Sequence, residues 1–218
     1  MRTKAELQQS IDDDLIWRRR EAFELRLLIQ DASQNKSKEA ALLRAGVAML
    51  YAHWEGFIKR SGTLYLHFVS NQACKGNELT SNFLAIKFKN QLDSIKLSSK
   101  TTTANHLINY FCHKLENKIK LPKNILIDTH SNLSSEVLKE INEVLGLDNT
   151  PYEAKKNIID LKLVSKRNHI AHGNILHIDK QEFLEIYDEV FDMMDEFRNQ
   201  VQNAAATDLF IRVTDIKR

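Results

Sequence analysis

The chain has 218 residues, 31 basic against 29 acidic, for a formal net charge of +2. That length suffices to bury a sizeable core, and the near-balance of charge excludes the global basic field of a histone-like protein, so a nucleic acid has to be met by a local patch. With only 2 Pro, 6 Gly and 43% hydrophobic residues, the composition predicts long helices joined by few turns, and no apolar run approaches the ~20 residues of a membrane span.

Residues 3–32 read as an amphipathic helix, with Leu7, Ile11, Leu15, Ala22, Leu25 and Ile29 at helical spacing. Its Trp17-Arg18-Arg19-Arg20 cluster reads as a solvated face. After a turn at Asn35-Lys36-Ser37, residues 38–70 carry one stripe of Leu43, Val47, Leu50, Trp54, Phe57, Ser61, Leu64 and Phe68. Gly46, Gly56 and Gly62 interrupt that helix and predict the close approach of another backbone. In the middle region, 71–149, helices are expected near 81–96, 102–117 and 134–145, the last stopped by Gly146, with a loop or short extended piece from Leu121 to Asn132. This region reads as a variable helical insert.

Thr150-Pro151-Tyr152-Glu153 predicts a capping box that opens a helix running to Ala171 or His172, with Gly173 as its stop. Asp179-Lys180-Gln181-Glu182 repeats the capping pattern before a last helix bearing Phe183, Tyr187, Val190, Met194, Phe197 and Val201. The tail Leu209–Val213 is expected to form a short strand or simply to pack. No repeat, low-complexity tract or linker divides the chain, so residues 1–218 read as one all-α domain. The start Met1-Arg2-Thr3-Lys4-Ala5-Glu6 lacks a signal-peptide apolar region. Cys74 and Cys112 share no spaced motif and are expected as free thiols. A cytoplasmic protein with no membrane partner is predicted.

The chemistry concentrates in Lys166-Arg167-Asn168-His169-Ile170-Ala171-His172-Gly173. Arg167 is a permanent cation and His172 a group that exchanges a proton near pH 7. Metal-free cleavage of an RNA phosphodiester needs both: a proton leaves the 2′-OH, another reaches the leaving oxygen, and charge on the phosphorus centre is stabilised. Along one face of the 154–172 helix, Ala154, Ile158, Leu161, Ser165, Asn168 and His172 form a stripe that turns from apolar to polar, read as an inward seam ending in a site. Lys155, Lys162 and Lys166 flank it as a cationic strip for a phosphodiester chain. Arg167 and His172 stand about 140° apart on an ideal helix; either the long Arg reaches round, or a frayed last turn brings them closer, or a second copy related by a two-fold axis completes a composite pocket. His169, three before His172, is a further substrate contact. On the second helix, Glu55 and Lys59 form either a surface pair or, with His53, groups beside the cleft that orient it. No metal-ligand spacing, Gly-rich phosphate loop or Ser nucleophile elbow occurs, so neither metal nor cofactor is expected.

At Arg167-Asn168-His169-Ile170-Ala171-His172 and the following Gly173 the chain resembles the HEPN superfamily, whose signature is an Arg followed by a polar residue and, after four to six residues, a His. Tyr51-Ala52-His53-Trp54-Glu55-Gly56-Phe57-Ile58-Lys59 is similar to the corresponding helix of HEPN nucleases in bacterial defence and toxin loci. The resemblance implies a helical bundle with long antiparallel helices that dimerises and sets two signatures face to face. It implies His172 as general acid or base, Arg167 as the stabiliser of the transition state and Asn168 as an orienting group, with RNA cut to 2′,3′-cyclic phosphate and 5′-OH ends. It also implies a restraining antitoxin or defence-complex partner. In HEPN toxins controlled by nucleotidylation a Tyr stands two positions after the signature His; here that position is Asn174, so that control is not expected. The rival readings are a non-catalytic helical module binding RNA or protein, and a metal-dependent nuclease.

Overall fold

The computed structural model describes residues 1–98, 100–122 and 127–213, and the architecture is all-α. Helix α1 (Lys4–Asp31) starts from a capping box in which Thr3 accepts from the Glu6 N–H and the Glu6 carboxylate accepts from the Thr3 N–H. A 3₁₀ turn, Ala32–Gln34, leads into α2 (Lys36–Asn71), capped by the Asn35 side chain. Last in order, α8 (Lys180–Ala206) is opened by Asp179, whose carboxylate accepts from the Glu182 N–H. These three long helices pack on one another. Leu7, Ile11, Trp54, Phe57, Phe183, Met194 and Phe197 fill the space between them.

The glycines of α2 admit side chains, not the backbone that the sequence suggested. A Cβ on Gly46 would stand 2.6 Å from the Phe183 ring, and one on Gly62 2.8 Å from Ile127. One on Gly56 would stand 2.8 Å from the Arg18 guanidinium. The Trp17–Arg20 cluster is likewise no plain solvated face. Arg18 is buried and bonded to Asp14, and Arg19 pairs with Asp195 of α8 and lies over the Phe191 ring.

Helices α3 (Ser81–Leu97), α4 (Thr101–His113) and α5 (Ser135–Leu145) make up the middle region. Phe83, Phe88, Leu107, Leu138, Ile141 and Leu145 join the same core as α1, α2 and α8. Gly146 ends α5 in the left-handed conformation, φ +71°. Phe210 of the tail is buried, and the tail's contribution to extended structure is a single bridge, Ile211 to Leu79. Part of the expected Leu121–Asn132 loop, residues 123–126, lies outside the described residues.

The 150–172 segment departs most from expectation. It is a short α6 (Thr150–Glu153), a π-helical stretch from Ile158 to Ser165, and α7 (Lys166–Ala171). The capping box does not form. Asp148 takes both the Thr150 N–H and its hydroxyl, and Glu153 accepts from the Asn149 amide. The inward face is also different: Tyr152, Ile159, Leu163 and Val164 are buried, whereas Leu161 is 63% exposed. The segment carries two apolar stripes, and the one that runs on into Asn168 and His172 faces solvent. Among the described residues no helix is long and apolar enough to cross a membrane.

Candidate functional site

The buried stripe of the 158–171 segment leads to Arg167. On a regular α-helix the eight residues from Ile159 to Arg167 would leave it about 80° past two full turns. The i→i+5 bonding of the π stretch puts more residues into each turn, so Arg167 comes closer to the phase of Ile159 and Leu163. It lands on α2, with its guanidinium carbon 3.8 Å from the Tyr51 ring centroid. Its Nη2 donates to the Ser131 carbonyl at 2.8 Å, and its Nε is buried without a hydrogen-bond partner.

The carbonyl is presented by two consecutive left-handed residues, His130 (φ +51°) and Ser131 (φ +54°), a conformation that costs a non-glycine residue roughly 1–2 kcal/mol. Several bonds hold that turn. The Leu133 N–H donates to the Tyr51 hydroxyl at 2.8 Å, Thr129 donates its hydroxyl to Glu55, and Asn168 reaches Asn132 at 3.4 Å. Ser135, just beyond, gives its N–H and hydroxyl to Asp160 of the π stretch, at 2.8 and 2.6 Å. Burial is the main reason the Tyr51 phenol stands above its ordinary pKa. It therefore stays neutral and free to accept from Leu133.

His172 sits where the helix ends. Its N–H donates to the Asn168 carbonyl at 3.0 Å, and the side chain is exposed. Gly173, at φ +73°, and the Asn174 N–H, bonded to the His169 carbonyl at 2.9 Å, close the turn. Arg44 of α2 donates to the Asn174 carbonyl at 2.9 Å and ties this turn to the same helix that carries Tyr51. Arg167 thus faces inward and His172 outward, in keeping with the wide angle between them in the sequence.

The other expected residues are distributed as follows. Lys166 and Lys162 turn to α8 and pair with Glu182 and Glu185, each at 3.0 Å, and Lys155 pairs with Glu189. The free cationic strip is therefore corrected to a set of ion pairs, because the acidic face of α8 lies beside it. His169 is exposed and its Nδ1 is held 2.8 Å from the Ser165 carbonyl. Glu55 does belong beside Arg167's platform, through Thr129. His53 does not. It is buried against α1 with Nε2 3.2 Å from Glu21, and burial, then the nearby Arg18, holds its pKa below the ordinary value. Lys59 is exposed, and Glu55 takes Thr129 where a pair with Lys59 was expected.

Tyr51 is the residue that sequence reasoning passed over in favour of His53. The signal was present. Arg44, Tyr51 and Glu55 recur at steps of seven and four, which places them on one face of a helix. His53, two residues from Tyr51, is carried about 200° round, to the far side. Among the described residues no three His, Cys, Asp or Glu side chains are grouped to hold a metal ion. No curated protein and no solved structure matches the chain. Residues 7–210 match the MAE_28990-like HEPN family.

Proposed function

Because the chain belongs to the MAE_28990-like HEPN family, we propose that it is a metal-independent endoribonuclease. The observation that carries this reading is the state of Arg167. The nearby lysines spend their charge on Glu182 and Glu185, but Arg167 is gripped by a carbonyl oxygen and an aromatic face. Both are neutral, and among the described residues no carboxylate pairs with Arg167, so its positive charge is oriented and left for an anion. A phosphodiester entering a pentacoordinate transition state is such an anion.

In the proposed reaction the 2′-oxygen attacks phosphorus and the 5′-oxygen leaves, giving 2′,3′-cyclic phosphate and 5′-OH ends. One group takes the 2′-OH proton and another delivers a proton to the leaving oxygen. The exposed His172 fills one of those roles. A second copy of the chain, bringing its own signature to the same cleft, supplies the other. Arg167 neutralises the charge on the non-bridging oxygens, and Asn168, bonded to Asn132, keeps the end of the helix against the 131–133 turn. The family supports a setting in phage defence or a toxin–antitoxin pair, with a partner protein restraining the activity.

The test is incubation of the full chain with labelled single-stranded RNA in EDTA, beside Arg167→Ala and His172→Ala. Cleavage that resists EDTA and is lost in both variants supports the reading. RNA binding without cleavage, surviving His172→Ala, would replace it with a non-catalytic RNA-binding module. Cleavage abolished by EDTA would assign a metal-dependent nuclease.

A further inference from the structure

We propose that Tyr51 is a positioning residue that sets the guanidinium of Arg167 for catalysis, an inference that rests on the ribonuclease reading above. Three observations carry it. The guanidinium lies over the ring with Cζ 3.8 Å from its centroid, well inside the roughly 6 Å limit of a cation–π contact. The hydroxyl at the far end of the same side chain accepts the Leu133 N–H at 2.8 Å, which fixes the 131–133 turn. That turn in turn supplies the Ser131 carbonyl, which takes Nη2 at 2.8 Å. One side chain therefore controls two of the three restraints on Arg167: directly through its ring, and through its hydroxyl by way of Leu133 and Ser131.

The third restraint is the packing that buries Nε. With Nε covered and one N–H of Nη2 bonded inward, the remaining N–H groups of the two Nη atoms are left to meet a phosphate oxygen. A guanidinium has one plane, and the ring fixes it. Without the ring, the side chain regains rotation about its long stem, and the charge remains but its direction is lost. Misplacement of a catalytic group by about 1 Å can cost on the order of 10²-fold in rate. A loss confined to direction falls on the transition state, not on the capture of RNA.

The experiment compares Tyr51→Phe and Tyr51→Leu in the full chain, with and without Arg167→Ala. Tyr51→Leu is expected to lower kcat by about 10–100-fold with KM little changed, and Tyr51→Phe, which keeps the ring but releases the Leu133 N–H, to lower kcat by a clearly smaller factor. In the Arg167→Ala background Tyr51→Leu should cost nothing further, because the two residues act as one unit. An equal cost of Tyr51→Leu in both backgrounds, or a loss of thermal stability with unchanged kcat, would overturn the assignment. A second readout does not depend on activity. The two Nη groups of Arg167 should be resolved in low-temperature ¹⁵N spectra of the wild type and of Tyr51→Phe, and should average in Tyr51→Leu. Should the wild type fail to cut RNA, the ribonuclease reading falls by itself, and these spectra still decide whether Tyr51 orders the guanidinium: resolved Nη signals in Tyr51→Leu would refute it.

Discussion

Two arginines on opposite sides of α2 solve the same problem with different outcomes. Arg18 lies 4.6 Å over the Trp17 ring and reaches the His53 carbonyl at 3.4 Å. Arg167 lies 3.8 Å over the Tyr51 ring and reaches the Ser131 carbonyl at 2.8 Å. The ring and the carbonyl recur; among the described residues no carboxylate pairs with Arg167. Arg18 Nε bonds Asp14 at 2.8 Å, and Asp14 also receives Arg60 and the Trp17 indole N–H. Its charge is spent inside the molecule, whereas that of Arg167 is only aimed. The comparison teaches that an aromatic platform and a carbonyl mark an ordered arginine, and that what separates the two, among the described residues, is the carboxylate paired with Arg18.

The sharpest way to break this contrast is to remove each arginine. Arg167→Ala, like His172→Ala, should lower RNA cleavage by roughly 10²–10⁴-fold while the melting temperature stays near that of the wild type. Measurable cleavage near the wild-type rate in either variant would remove the functional half of the comparison. Arg18→Ala should do the reverse. It removes the buried partner of Asp14, leaves the carboxylate to Arg60 and the Trp17 indole, and should cost about 2–3 kcal/mol in a denaturant titration, below the roughly 3–5 kcal/mol of a fully uncompensated buried charge, with kcat per folded molecule preserved. Replacing the pair together, as Asp14→Leu with Arg18→Met, should recover much of that loss, since a buried ion pair often gains little over apolar packing.

A finer probe is Gly56→Ala, whose Cβ would press to 2.8 Å on the Arg18 guanidinium. Overpacking costs about 1–3 kcal/mol, and the better helix propensity of Ala returns about 1 kcal/mol, so a net loss near 1 kcal/mol is expected, again without effect on cleavage. A stabilised variant would mean that Arg18 is free to move aside. The smallest effect is in pH. His53 has a depressed pKa in the folded chain, from burial and then from Arg18. The unfolded chain therefore takes up the proton first, so the contribution of His53 is complete above pH ~6.5 and fades as the pH falls through the folded value. Melting curves between pH 7.5 and 5.5 should show a steeper decline for the wild type than for His53→Gln. Parallel declines would mean that the histidine is not held neutral.

Much of the fold was legible because its long helices announce themselves. The stripes of Leu7 to Ile29, Leu43 to Phe68 and Phe183 to Val201 bury as their spacing requires, except for the half-buried Leu64 and Tyr187, and Gly146 and Gly173 end helices with positive φ. For the candidate site, residue types could be chosen from the sequence but their orientation could not. Arg167, Asn168 and His172 could be picked by chemistry, yet the face assigned to the 154–172 segment was the solvent face. A regular 3.6-residue count cannot anticipate a π stretch, and two apolar stripes, Ile158 with Leu161 and Ile159 with Leu163, compete in the same string. The lysine strip was misread for another reason: charge in a sequence carries no record of the acidic face it will meet on α8. Ser131 could not be found by pattern at all, since it acts through a backbone carbonyl that any residue possesses.

The widened turn between Ile158 and Ser165 also bears on how such a chain tolerates changes in length. Loss of one surface residue there, Leu161 for example, leaves the composition nearly untouched and relaxes the coil to its ordinary pitch. The missing residue and the tighter winding then offset each other, because seven residues at about 100° reach nearly the phase that eight reach through the wider turn, and the guanidinium keeps its place over the Tyr51 ring. A one-codon deletion in this octet is thus a change of length that the orientation of Arg167 can absorb, whereas the loss of a residue from a regular α-helix turns everything beyond it by about 100°.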